Sequence, residues 1–168
     1  MAKPCPKPVN EHTNLKNVLE QLEDVCRRLV FWRDGGICVE QEMDGRRCYG
    51  PIQWGHFIPR KQSKFLKYDL GNTFCQCAGH NNLHDKGAQT MGVWYAQTLG
   101  EQAHSAIEAA ARLNVGRKIY VADYREMLER YIYLYENRPT AYRFTQLIEY
   151  GYYGEIVKLA NSMVQYCP

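Results

Sequence analysis

Apolar residues recur at three- and four-residue spacing from Leu15 through Val18, Leu19, Leu22, Val25, Cys26 and Leu29 to Val30. That period predicts an amphipathic helix. Asn14 stands where its cap belongs, with Asn17 following, and Asp34-Gly35-Gly36 supplies the stop. Residues 37–58 break into short apolar pieces, "ICVE", "CYGPIQW" and "HFI", separated by Asp44-Gly45 and Gly50-Pro51. Such pieces read as small strands or a hairpin with loops. Residues 59–76 read as loop with one short strand. A helix is expected from His80 through Asn81, His84 and Asp85, with Gly87 interrupting or ending it. Another over 90–99 carries Met91, Trp94, Tyr95 and Leu99. The alanine-rich "EQAHSAIEAAARL" predicts a further helix, ended near Asn114-Val115-Gly116. "VADYREMLERYIYLYEN" predicts the next, with Tyr124, Met127, Leu128, Tyr131, Ile132 and Tyr135 on one stripe. Pro139 separates it from 140–166, read as two short helices around Gly151 and Gly154.

The expected class is α+β, mainly helical. A flexible arm covers 1–13. A core over 14–112 sets a compact metal-rich ββα finger between an N-terminal helix and further helices. A helical extension covers 113–168. The 168 residues fit one domain with room for a real core.

Net charge is a modest +3, so total charge alone does not announce a nucleic-acid partner. Its distribution says more. Arg46, Arg47, Arg60, Lys61, Lys64 and Lys67, with His56 among them, form a stretch without an acidic residue. Such a stretch either faces phosphates or is a solvated loop. The opening "MAKPCPKPVNEHTN" lacks the apolar core of a signal peptide, and no apolar run approaches the roughly 20 residues of a membrane helix. The expectation is an intracellular, cytoplasmic protein with reduced thiols. In that compartment clustered cysteines point to metal rather than disulfides. Cys5, Cys26 and Cys167 are isolated, and Cys26 is expected as a small core residue.

The chemistry concentrates in "WGHFIPRKQSKFLKYDLGNTFCQCAGHNNLHDKG", residues 54–87. Structural zinc takes four thiolate or imidazole ligands in a tetrahedron, supplied in pairs by tight turns. Cys77-Ala-Gly-His80 is one such pair, and Cys38 with Cys48 is the nearest other pair upstream. Cys38, Cys48, Cys77 and His80 are therefore assigned to one zinc. Cys75 is the alternative to Cys48, because residues two apart on an extended segment point the same way. What remains is a second set of donors: His56, Asn72, Asn81, His84 and Asp85. Asn81 with His84 or Asp85 shares one helix face, and oxygen and imidazole donors there suit Mg²⁺ or a similar divalent ion. His56 is a candidate base for activating water beside it.

"WGHFIPR" followed by "GNTFCQCAGHNNLHDKG" resembles the HNH (ββα-metal) endonucleases, and more narrowly the phage NinG and Rap recombination proteins, which act on Holliday junctions. Carrying the pattern are Gly55-His56-Phe57 with Arg60, then Asn72, Gln76-Cys77, His80-Asn81 and Lys86-Gly87. The segment "VFWRDGGICVE" is similar to the one before that family's first zinc cysteine, and the likeness covers about residues 19–112. It implies a DNA endonuclease from a phage or prokaryotic setting, with structural Zn²⁺ and catalytic Mg²⁺ or Mn²⁺. His56 would be the general base. Asn72 would tie the loop and orient His56. Asn81 would bind the catalytic ion, with the third position at His84 or Asp85. Arg46, Arg47, Arg60, Lys61, Lys64, Lys67 and Lys86 would hold the DNA backbone, and a homodimer would suit a two-fold junction. The chain departs from the pattern twice. Gln41 stands where the first knuckle has its second cysteine, and Gly55 stands where some relatives carry a metal-binding Asp. A sequence-specific or nicking nuclease, or a non-catalytic zinc-containing DNA-binding module, are the other functions these residues fit.

Overall fold

The computed structural model describes residues 14–41, 47–87 and 89–138, with the side chain of Asp85 outside that set. The elements run α1 (Leu15–Arg33), β1 (Ile52–His56), β2 (Thr73–Cys77), α2 (Ala78–Asp85), α3 (Thr90–Leu99), α4 (Glu101–Leu113) and α5 (Val121–Glu136). The α+β class expected from the sequence is therefore present, as five helices around a small two-stranded sheet among the described residues. The arm over 1–13, the turn Asp44-Gly45 and the short helices expected beyond Pro139 lie outside the described residues. No helix among the described residues is long and apolar enough to cross a membrane.

Helix α1 begins where the cap was expected, with Asn14 Oδ1 accepting from the Asn17 amide at 3.0 Å. Its stripe Val18, Leu22, Val25, Cys26, Leu29 and Val30 is buried. Helix α5 lies along it and contributes Leu128, Tyr131, Ile132 and Leu134 to the same core. Tyr131 belongs to this core, its hydroxyl donating to the Tyr68 carbonyl at 2.7 Å, while Tyr124 and Tyr135 pack against it partly buried. The tyrosine stripe of α5 is thus intramolecular packing rather than an open face.

Of the small strands or hairpin expected within 37–58, one strand, β1, is present among the described residues, and it has no hairpin partner in that stretch. Strand β1 instead pairs antiparallel with β2 across the loop 57–72, setting Ile52 opposite Cys77 and His56 opposite Thr73. Helix α2 follows β2 without a gap and starts at Ala78, earlier than the His80 expected. Successive strand residues face opposite sides. Trp54 and Cys75 therefore enter the α1–α5 core, while Phe74 enters a second core with Leu66, Met91, Trp94, Tyr95 and Leu99. The sheet is a partition between two clusters, which is why all five residues of β2 are buried.

A buried ion pair fastens α1 to this partition. Arg33 Nε and Nη2 bond the two carboxylate oxygens of Asp34 at 2.6 and 3.1 Å. The same guanidinium donates to the carbonyls of Leu70 at 2.5 Å and Thr73 at 2.6 Å, and lies 4.8 Å from the Phe74 ring centroid. Asp34 Oδ2 in turn accepts from the Cys75 amide at 2.7 Å. With side chains 2% and 0% exposed, the pair depends on these extra bonds to offset desolvation. Removing one partner leaves an uncompensated charge. Asp34→Ala is expected to lower unfolding free energy by about 3–5 kcal/mol in urea denaturation. A loss under about 1 kcal/mol would show that the pair does not hold the sheet to α1.

Candidate functional site

Three chain segments meet at the junction of β2 and α2. Cys77 ends the strand and caps the helix, its sulfur accepting from the His80 amide at 3.4 Å. The carbonyls of Tyr49 and Pro51 accept the next helix amides, from Gly79 at 3.2 Å and Ala78 at 3.0 Å. This lays the 48–51 segment against the helix start and delivers Cys48. Gly79 lets the Tyr49 ring lie over the helix start, since a Cβ there would stand 2.3 Å from it and displace it. The Val39 amide donates to the Cys75 carbonyl at 2.9 Å, which docks the 38–41 turn on the sheet edge and delivers Cys38.

The ligand atoms of Cys38, Cys48, Cys77 and His80 all lie within 4.8 Å of one another. His80 Nδ1 is 3.3, 3.7 and 3.2 Å from the sulfurs of Cys38, Cys48 and Cys77. A tetrahedral ion with Zn–S near 2.3 Å and Zn–N near 2.0 Å separates sulfur from nitrogen by roughly 3.6 Å. The measured separations bracket that value, so the four groups fit a structural metal such as zinc. Burial raises the Cys38 thiol to about 12. At Cys77 burial also acts upward, but the amides of His80 and Tyr49 outweigh it and bring the thiol down to about 7. A coordinated thiol is deprotonated outright. Cys75 is excluded from the cluster: its sulfur turns to the Val30 carbonyl of α1, 3.9 Å away, and burial raises its pKa.

The loop 57–72 is closed by Asn72, which is 0% exposed. Asn72 Oδ1 accepts from the Ile58 amide at 2.7 Å, and Nδ2 donates to the carbonyls of Ile58 at 3.1 Å and Leu66 at 3.0 Å. Its own carbonyl accepts from the Phe57 amide at 2.8 Å. One peptide beyond Leu66, the Lys67 carbonyl meets His56 Nε2 at 3.0 Å. A carbonyl only accepts, so Nε2 carries the hydrogen and the neutral ring keeps its lone pair on Nδ1. The ring packs at 4.6 Å from Trp54 and is 6% exposed. Burial, helped by the charges of Arg60 and Lys67, lowers its pKa to about 4 against the pull of the Lys67 carbonyl and Glu23. No side chain fits at the preceding residue: a Cβ on Gly55 would lie 1.7 Å from Gln76 Oε1, whose amide nitrogen bonds Glu40 at 2.5 Å.

Helix α2 lies against β1 through two bonds from one face. Asn81 Nδ2 donates to Gln53 Oε1 at 2.8 Å, leaving Oδ1 as its free end, and His84 Nε2 donates to the Phe57 carbonyl at 2.8 Å. The two then part. Asn81 lines a groove with Trp54 and Arg60, whereas His84 lines another with Gln62 and His104. His84 Nδ1 is buried without a described partner. Arg47, Arg60, Lys61, Lys64 and Lys86 are exposed. Lys67 is not a free cation, since its ammonium bonds Glu23 at 3.2 Å and the Tyr68 hydroxyl at 2.9 Å. Arg46 lies outside the described residues. Sequence reasoning missed the groove's α1 wall, Arg27 and Arg28, whose four-residue pairs with Glu23 and Asp24 look like an ordinary solvated face.

No protein-family model, curated protein or solved structure matches the chain.

Two outcomes test this site. Purified protein is expected to carry one zinc per chain by elemental analysis. Cys48→Ser and Cys77→Ser should each lose it, and Cys75→Ser should retain it. Zinc lost from Cys75→Ser and kept by Cys48→Ser would reverse the assignment. The second outcome concerns pH. His56 titrates near 6.5 unfolded and near 4 folded, so between those values the unfolded chain binds the extra proton. Its stability contribution is complete above about pH 6.5 and is lost as pH falls toward 4. From pH 7 to pH 5 the wild type should lose about 2 kcal/mol more than His56→Gln in urea denaturation. Parallel pH profiles would show that the imidazole is not buried in its neutral form.

Proposed function

We propose that this chain is a metal-dependent DNA endonuclease of the ββα-metal (HNH) type, hydrolysing phosphodiester bonds in branched DNA. The observation that carries this reading is the bond from His56 Nε2 to the Lys67 carbonyl, held in place by Asn72. It leaves a neutral imidazole with Nδ1 as a base, which is what water activation requires. The strand–loop–strand–helix order around it, with a tetrad that can hold a metal at one end, is the arrangement the sequence resemblance implies.

In this mechanism His56 Nδ1 takes a proton from water as the water oxygen attacks phosphorus. The P–O bond to the leaving oxygen then breaks, and that oxygen takes a proton from solvent. Arg60, exposed beside Trp54 and Asn81, neutralises phosphate charge. A bound Mg²⁺ or Mn²⁺ would supply further charge neutralisation and stabilise the leaving oxygen. Asn81 Oδ1 fits a hard cation. His84 would have to offer Nδ1, since Nε2 is held by the Phe57 carbonyl, and it lines the other groove; Asp85 is the alternative beside it. Zinc at Cys38, Cys48, Cys77 and His80 would be structural, ordering a segment too polar to order itself by apolar burial. Arg47, Lys61, Lys64 and Lys86 would grip phosphates without reading bases, so binding would fall steeply with salt. Two copies would be needed to cut both strands of a symmetric junction.

A second reading, a non-catalytic zinc-containing DNA-binding module, is favoured by one observation: His56 is only 6% exposed beneath α1. Cleavage separates the two. With Mg²⁺ or Mn²⁺ the wild type is expected to cut four-way or flap substrates in preference to linear duplex. His56→Ala should lower the rate by at least about 10²-fold with zinc content and DNA binding unchanged. Wild-type protein that cuts no junction, flap or plasmid would leave the binding module. Undiminished cleavage by His56→Ala would remove His56 as the base.

A further inference from the structure

The groove that holds Asn81 has a second wall the mechanism does not use. It encloses about 640 Å³ and is lined by Arg27, Arg28 and Phe31 of α1, Trp54 of β1, and Arg60 and Asn81. On α1 these residues follow a three- and four-residue spacing, so they share one stripe beside the buried one. The Arg27 guanidinium stands 5.5 Å from the Trp54 ring centroid. Arg27 and Arg28 are held by Glu23 at 2.8 Å and Asp24 at 3.0 Å. The Arg27 side chain is 53% exposed, and such a surface pair contributes little, so a phosphate can replace the carboxylate; the Arg28 side chain is 16% exposed and also faces the Tyr135 ring at 5.9 Å. Phe31 is a large apolar side chain left 37% exposed.

Guanidiniums suit phosphates on any nucleic acid, but an exposed aromatic ring does not suit a duplex, whose bases are stacked inside. It suits an unpaired base, which has an open face to stack. We propose that α1 and β1 bind a single DNA strand, with Phe31 stacking an unpaired base and Arg27 and Arg60 holding phosphates. The preferred substrate is then branched DNA with an unpaired arm rather than a fully paired junction. This rests on the endonuclease reading for its DNA, and binding is measured apart from cleavage so that the two can fail separately.

The full chain, carrying His56→Ala to prevent cutting and with no divalent ion added, would be titrated by fluorescence anisotropy against labelled oligothymidine and a labelled hairpin duplex. Oligothymidine should bind more tightly. Phe31→Ala should weaken it by roughly 5- to 100-fold while changing duplex binding less than about twofold. Phe31→Leu, which keeps the apolar bulk, should weaken it similarly and decides the matter if Phe31→Ala does not fold. Arg27→Ala should reduce the slope of log affinity against log salt by about one. Tighter duplex binding, equal losses on both probes, or no loss in Phe31→Leu would overturn the proposal. Strand binding that follows this pattern in a protein that never cuts would leave this groove standing and end the endonuclease reading. Cleavage of flaps unaffected by Phe31→Leu would do the reverse.

Discussion

The carboxamide of Asn72 closes the loop between the two strands, and the arrangement of polar groups around the sheet depends on that closure. The loop carries Arg60, Lys61, Lys64 and Lys67, while its apolar Phe57, Ile58, Leu66, Tyr68 and Leu70 are buried in the two cores to either side. Asn72 ties its first turn at Ile58 to its far side at Leu66 from a fully buried position. Both ends of the amide are bonded, so neither leaves the desolvation cost of a lone buried polar group. The next carbonyl along, that of Lys67, is thereby fixed, and it sets which nitrogen of His56 carries a proton. A residue sixteen positions from His56 in the chain thus determines its tautomer through one peptide of loop.

The other end of the finger is ordered in the same manner by different chemistry. The tetrad gathers ligands from the 38–41 turn, the 48–51 segment and the β2–α2 junction. Without an ion, the first two are held by few backbone bonds, one of them from Val39 to Cys75 and two from the start of α2. The apolar cores lie to either side: α1 with α5 on one face of the sheet, α3 with α4 on the other. The sheet supplies almost no free surface of its own. Its chemistry is displayed where strands end, at His56 on one end of the pairing and Cys77 on the other.

The helices were legible because a 3.6-residue period with caps is a long, redundant signal. Asn14, Asp34 and Gly116 mark their ends as read. The strands were less so. Five residues carry little period, and the partner of β1 lies across a loop that no local pattern specifies. Cys48 and Cys75 could not be separated from spacing alone. Cys75 does share a strand face with Cys77, but that face is occupied by α1, and only Cys77 stands where the chain turns into a helix. His84 was read as a partner of Asn81 from their spacing, and the two do share a helix face. Their ends diverge because the acceptors are separate: Gln53 lies within β1 and the Phe57 carbonyl just past its end. The Arg33–Asp34 pair gave no signal, since a charged dipeptide at a helix end usually faces water.

The central claim is that His56 is held as a neutral imidazole with its hydrogen on Nε2 and its lone pair on Nδ1. Long-range proton–nitrogen NMR of the ¹⁵N-histidine-labelled protein reads that state directly. The account predicts a protonated Nε2 and an unprotonated Nδ1 for His56 at neutral pH, with the imidazolium appearing only as pH approaches about 4. A hydrogen on Nδ1, or an imidazolium already present at neutral pH, would contradict it.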